Sequence, residues 1–388
     1  MNLFDTKMPD HRLHSSFKQI VSDPTTVPVR EVIQSWADGL LDRRGEQKKF
    51  VHEFQITFNS AFWELYLNRA FSELGFSVDY TKASPDFCVT TANGYRFNVE
   101  AVISDRSNDA SPRVTAQSDA EQNLQNTLKL AGKIKDKRDI FTGIRGNKTP
   151  YSTLEHVQGR PFVIAIAPFN SDDSLMQNNE IINRVLFGID SPDQNTLITG
   201  EQKKISTVAT KSGAPVDLGI FTNDSYKEIS AVIFSTTGTY GKAVVESGIK
   251  KFVRATRYRE MSREAFFFTE GAKNQGVSHH LVGPSNYRIS TRHEYAGNII
   301  GADMQIYESC MHRETHLDGL HIYYNPFATI PLDADVMHAN EITHNFYDAE
   351  HGVPDHKHPD GALVSRHVWD PETGVFEYLV RQHLFYGY

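Results

Sequence analysis

Large apolar residues crowd the stretch from Phe58 to Leu74 at helical spacing: Phe58, Phe62 and Leu65 share one row, while Trp63, Tyr66, Leu67, Ala70, Phe71 and Leu74 fill most of the rest. A helix apolar almost all round is a buried one, and Gly75 follows where a left-handed residue closes a helix. Phe76 to Tyr80 then alternates briefly, and two further strand-like runs, DFCVTT from Asp86 and YRFNVEAV from Tyr95, flank Ala92-Asn93-Gly94. The loop length decides the hairpin register. A two-residue Asn93-Gly94 turn would set Glu100 against Phe87 and oppose polar to apolar faces. A three-residue loop with Gly94 left-handed instead pairs Phe87 with Val99 and Val89 with Phe97, and so aligns the apolar faces.

Asp119 to Lys137 returns to helical periodicity, with Ala120, Leu124, Leu128, Ala131 and Ile134 on the buried row and Lys129 and Lys133 one turn apart beside it. PFVIAIAPF follows as a buried strand, and strand, helix, strand in that order predicts a right-handed crossover between parallel strands. Elsewhere, Val29 to Leu41 predicts an amphipathic helix, Asn223 to Ile229 a helix start, and Val232 to Ser235 a short buried strand. GLHIYYNPFATIPL reads as a strand entering a Pro-bounded turn, and TGVFEYLVRQHLF as a closing β segment. The expected fold is α/β, a mixed sheet flanked by helices. Residues 1–50 form an N-terminal extension and 51–250 the core, with a polar insertion around 170–216. Residues 251–388 form a His- and Tyr-rich α+β extension packed on that core.

Composition narrows the class. The chain has 388 residues, 39% of them hydrophobic and 11% aromatic, enough to bury a sizeable core as one elaborated domain or two. Two cysteines make no disulfide framework, and the longest apolar run, near Pro161 to Phe169, falls short of the roughly 20 residues that span a bilayer. A cytoplasmic protein without a membrane partner is expected. The net charge of −8 argues against a passive nucleic-acid coat, which needs a basic surface, but it is compatible with a carboxylate-rich metal site.

Three carboxylates then stand out. In the favoured register Asp86 lies directly across from Glu100, and like charges so placed repel unless a cation lies between them. Two hard oxygen donors on adjacent strands suit Mg²⁺ or Mn²⁺. Glu64, amid large apolar neighbours, must be exposed at a local opening, protonated or matched to a cation; the plainer alternative is a narrow polar strip shared with Asn68.

A helix Glu, then Pro85-Asp86 opening a strand, then Val99-Glu100 after thirteen intervening residues resembles the PD-(D/E)xK nuclease superfamily over about residues 58 to 167. The resemblance implies a restriction-endonuclease-like core and a metal-dependent endonuclease in which Asp86 and Glu100, joined by Glu64 and the Ala101 carbonyl, hold Mg²⁺ or Mn²⁺. It also implies a nucleic-acid substrate, DNA before RNA, and a role in restriction or phage defence; a homodimer stays open. The family's lysine, two residues after the Glu, is here Val102. Lys133 is the favoured substitute, then Lys129, then Lys82. The alternative is a degenerate nuclease fold that binds DNA or a protein without cutting.

Cationic residues near this segment are candidate phosphate contacts: Arg106 and Arg113 in the polar loop after Val102, and Arg43, Arg44, Lys48 and Lys49 in the charged connector LDRRGEQKKF. Solvated surface is their plain alternative. Asp172 and Asp173 are too generic to interpret. The last third holds thirteen histidines, and Cys310, His312, His316 and His321 have spacings open to zinc, which makes a His-rich zinc hydrolase a second alternative.

Overall fold

The computed structural model describes residues 1–42, 46–104, 118–146, 148–169, 179–191, 201–261, 275–283, 285–295, 298–372 and 374–385. Arg43, Arg44, Arg106, Arg113, Asp172 and Asp173 lie outside them.

Helices α1 (Ser15–Ser22), α2 (Val27–Ser35), α3 (Gln47–Ile56) and α4 (Phe58–Glu73) precede a sheet that begins with β1 (Ser77–Val78), β2 (Phe87–Thr90) and β3 (Arg96–Ile103). Helix α4 buries nearly its whole circumference, as its sequence demands, and Gly75 leaves it at φ 72°. Helix α5 (Asp119–Thr142) crosses to β4 (Phe162–Ala167), which pairs in parallel with β3 and is buried at every position. Ser118 caps the first turn of α5, and Gly143 ends the helix at φ 84°. Leu130, Ala131, Ile134 and Ile140 form its buried side; Leu124 and Leu128 are half-buried and Ala120 is exposed, so the buried row runs further along the helix than the spacing predicted.

The segment read as a polar insertion contains α6 (Glu180–Phe187), whose Ile181, Ile182, Val185, Leu186 and Phe187 are buried, and a ribbon of β5 (Thr207–Ala209) with β6 (Pro215–Asp217). Its apolar cluster is only eight residues long, and flanking polar residues mask it. The expected helix at Asn223 is a single 3-10 turn, Asp224–Tyr226. Strand β7 (Ala231–Ser235) pairs in parallel with β4, and α7 (Tyr240–Glu246) follows.

The core sheet does not end near residue 250. Strands β8 (Phe252–Met261), β9 (Gln275–Gly283), β10 (Asn286–Tyr295) and β11 (Asn298–Glu308) build a separate antiparallel sheet. The chain then returns with β12 (Leu320–Tyr324), β13 (Thr343–Asp348) and β14 (Val353–Lys357), giving an eight-stranded mixed sheet in the order β1-β2-β3-β4-β7-β12-β13-β14. Strand β15 (Leu363–Trp369) joins the second sheet beside β8. The final segment, predicted as β, is helix α8 (Val375–Phe385): Phe376 and Leu379 recur at helical spacing and pack on Phe252, Tyr287, Ile289 and Ile306. The N-terminal residues also belong to the core, since Leu3, Phe17, Val29 and Ile33 are buried in one cluster with α4 and the sheet.

Two apolar clusters therefore sandwich the large sheet. One joins α2, α3 and α4 to Phe87, Val99 and Val163; the other joins α5 and α6 to Val102, Ile164, Ile166 and Val232. Among the described residues no helix is long and apolar enough to cross a membrane.

Candidate active site

The β2–β3 hairpin has the three-residue loop. Phe87 pairs with Val99 and Val89 with Phe97, while the Gly94 amide donates to the Thr91 carbonyl at 2.9 Å with Gly94 at φ 85°. Asp86 precedes this ladder by one residue, so it sits beside Glu100, and its Oδ2 accepts the Ala101 amide at 2.8 Å. The carboxylate thereby caps the strand next to the second acid.

Alternation puts Glu100 and Val102 on the face covered by α5. Val102, two residues after Glu100, is a core residue clustered with Leu130, Ile134 and Ile164. A lysine of the covering helix meets Glu100. Lys137 Nζ donates to Glu100 Oε1 at 2.6 Å, with the Lys137 side chain 21% exposed and the Glu100 side chain 5% exposed. Lys133 and Lys129, the lysines favoured from the spacing, are half-buried on α5, and Lys82 is exposed. The physical reason is direction. A parallel crossover runs its helix back toward the start of the next strand, so at about 1.5 Å per residue the last turns of α5 reach the level of Glu100. Lys137 lies one turn beyond Lys133, in a helix that continues to Thr142. Its position at the end of the periodic run was the available signal.

Burial works against the Lys137 ammonium, but the charges of Glu100, then Asp86, then Glu64 outweigh it and hold the amine above the usual lysine range. Glu64 contributes the weakest of these three charges. It follows Trp63, whose indole donates to the Ala165 carbonyl at 3.0 Å and pins α4 to β4.

Tyr151, which the sequence did not single out, donates its hydroxyl to the same Glu100 Oε1 at 3.2 Å. Burial first, then the Glu100 and Asp86 charges, push its pKa upward, so it stays a neutral donor. The same segment braces the Pro85-Asp86 turn: His156 Nε2 donates to the Ser84 carbonyl at 2.7 Å, and Arg160 holds the His156 carbonyl at 2.8 Å.

Among the described residues no three His, Cys, Asp or Glu side chains converge closely enough to hold an ion alone. Glu64 therefore does not complete a three-carboxylate cage with Asp86 and Glu100; it adds charge opposite Lys137. The donor set nonetheless suits Mg²⁺ or Mn²⁺, because Mg²⁺ takes one or two protein carboxylates and completes its shell with water and substrate oxygens.

The zinc candidates have other partners. His312 lies between the Tyr307 hydroxyl at 2.7 Å and Glu314 Oε2 at 2.6 Å, and His316 between Glu246 Oε1 at 2.8 Å and the Tyr66 carbonyl at 2.9 Å. His321 stands apart against Asn179, and Cys310 is exposed. Glu314 is fully buried with Lys242 and Arg366, and Arg366 also donates to the Thr237 carbonyl, so this polar cluster ties β15 to the loop after β7. Lys48 and Lys49 are exposed on α3.

Comparison of the chain with protein-family models, with curated proteins and with solved structures finds no match.

Proposed function

We propose that this protein is a metal-dependent nuclease, hydrolysing phosphodiester bonds in nucleic acid, DNA before RNA, on a restriction-endonuclease-like core. The observation that carries the reading is the Lys137 ammonium on Glu100 beside Asp86: an acid, an acid and a lysine from three different elements, with the lysine supplied by the helix that covers Val102. Asp86 and Glu100, with the Ala101 carbonyl, are the residues to hold Mg²⁺ or Mn²⁺. When bound, the ion supplies a water of lowered pKa and neutralises charge on the scissile phosphate.

Lys137 is the hydrogen-bond donor and positive charge that orients the attacking water and meets the phosphate oxygens. Tyr151 and the Ala101 amide keep the two carboxylates from rotating away. Glu64 adds the third negative charge. Restriction or phage defence would use such an activity in a bacterium or archaeon.

Supercoiled plasmid with Mg²⁺ or Mn²⁺ tests the reading. Wild type nicks or linearises it; Asp86→Asn, Glu100→Gln and Lys137→Met each lose at least about a hundredfold in rate; Lys133→Met and Lys129→Met stay near wild type. Cleavage that survives Lys137→Met sinks the assignment. Val102 at the family's lysine position supports the second reading, binding without cleavage. That reading gains if no protein cuts with either ion while DNA retention is unchanged by the three site variants.

A further inference from the structure

The charge problem of the hairpin already has an answer inside the protein. Asp86 and Glu100 stand side by side across neighbouring strands, an arrangement that repels unless a cation intervenes. Glu100 is 4% exposed, so water does little to screen it. The cation on Glu100 is Lys137, 2.6 Å from Oε1, and the Asp86 charge also acts on it. A divalent ion using this carboxylate meets an ammonium on one of its oxygens, and two cations that close repel strongly in a site of low effective dielectric. Lysine carries its charge on a flexible four-carbon stem, so the amine can move while its backbone stays in α5, and a fifth of this side chain is open to solvent. Tyr151 bonds the same oxygen and would keep the carboxylate oriented while its cationic partner changes.

We infer that Lys137 is a placeholder cation: it offsets the charge of the acid pair, and an arriving divalent ion competes with it for Glu100 and displaces it from that carboxylate. This deepens the proposed function and rests on Asp86 and Glu100 forming an ion site. It adds a form of regulation. The ammonium is held by Glu100 and becomes available to a phosphate only once an ion has taken that carboxylate, so ion binding and delivery of the lysine are coupled.

Two measurements with Mn²⁺ alone, without nucleic acid, test it. Calorimetric titration of wild type and Lys137→Met is expected to show at least about tenfold tighter Mn²⁺ binding in the variant, because the competing charge has gone, and loss of binding in Asp86→Asn. Equal or weaker binding in Lys137→Met overturns the placeholder role while leaving the ion site standing. No binding in either protein removes the ion site and this inference with it. The second measurement needs no variant: acetic anhydride labelling of wild type, read at Lys137 by peptide mass spectrometry, should rise severalfold on saturation with Mn²⁺ while Lys133 stays constant as reference. An unchanged Lys137 labelling rate also overturns the proposal.

Discussion

Breaking the Lys137–Glu100 pair from each side and then from both is the perturbation that reads the site geometry most directly. Nζ lies 2.6 Å from Oε1, with the carboxylate side chain 5% exposed and the lysine side chain 21% exposed. At an effective dielectric of about 20 and roughly 3.5 Å between charge centres, the gross attraction is about 4–5 kcal/mol. Desolvation of the two groups offsets part of this, which leaves a net coupling of about 2–3 kcal/mol. Glu100→Gln strands a largely buried ammonium, and Lys137→Met leaves Glu100 beside Asp86 without its cation; each is expected to cost about 3 kcal/mol. The double variant removes both charges and is expected to cost about 3–4 kcal/mol rather than the sum of the singles.

Urea denaturation at neutral pH, followed by tryptophan fluorescence and compared through midpoints at a common slope, measures the cycle. Because Lys137 is held above its ordinary pKa, the coupling is fully present below about 10.5 and is lost as pH rises through the folded-state value. Losses that add to within about 0.5 kcal/mol would mean that the pair does not exist, and the argument built on Lys137 would go with it.

Val102→Lys in the Lys137→Ala background should return part of the lost plasmid cleavage, since alternation puts position 102 on the Glu100 face; no recovery would show that this position does not look onto the reacting centre. Burial holds His321 and His356 below the usual histidine range and His358 down at about 4, and His358 lies 4.8 Å from the Tyr258 ring where the second sheet meets the first. The unfolded chain takes up these protons from about 6.5 downward and the folded chain does not. Stability is therefore present above 6.5 and is lost on acidification, at about 1.4 kcal/mol per pH unit for the 5% exposed His321 alone. Denaturation midpoints between pH 7 and 4 check this, and a profile unaltered by His321→Asn would contradict it.

Local patterning was enough for the hairpin that carries the acids. A period of two, a loop of three residues and Gly94 admit only one register that aligns the apolar faces, and the observed pairing of Phe87 with Val99 is that register. The buried α4 and the parallel step from β3 to β4 were legible for the same reason: each depends on residues close together in the chain. Which lysine pairs with Glu100 was not. It depends on how far α5 extends and on which of its turns comes level with Glu100, and those are fixed by packing against β4 and Val102, not by periodicity within the helix. Tyr151 was hidden because it reaches Glu100 from 51 positions away on a single 3-10 turn with no periodic signal. The return of β12 to pair with β7, and of β15 to pair with β8, was likewise out of reach, because short apolar runs fix strand character but not the partner. The chain by itself determined the buried α4, the hairpin register and where two carboxylates would meet; only the packed tertiary structure decided which cation Glu100 meets, because that choice is made by contacts between segments far apart in sequence.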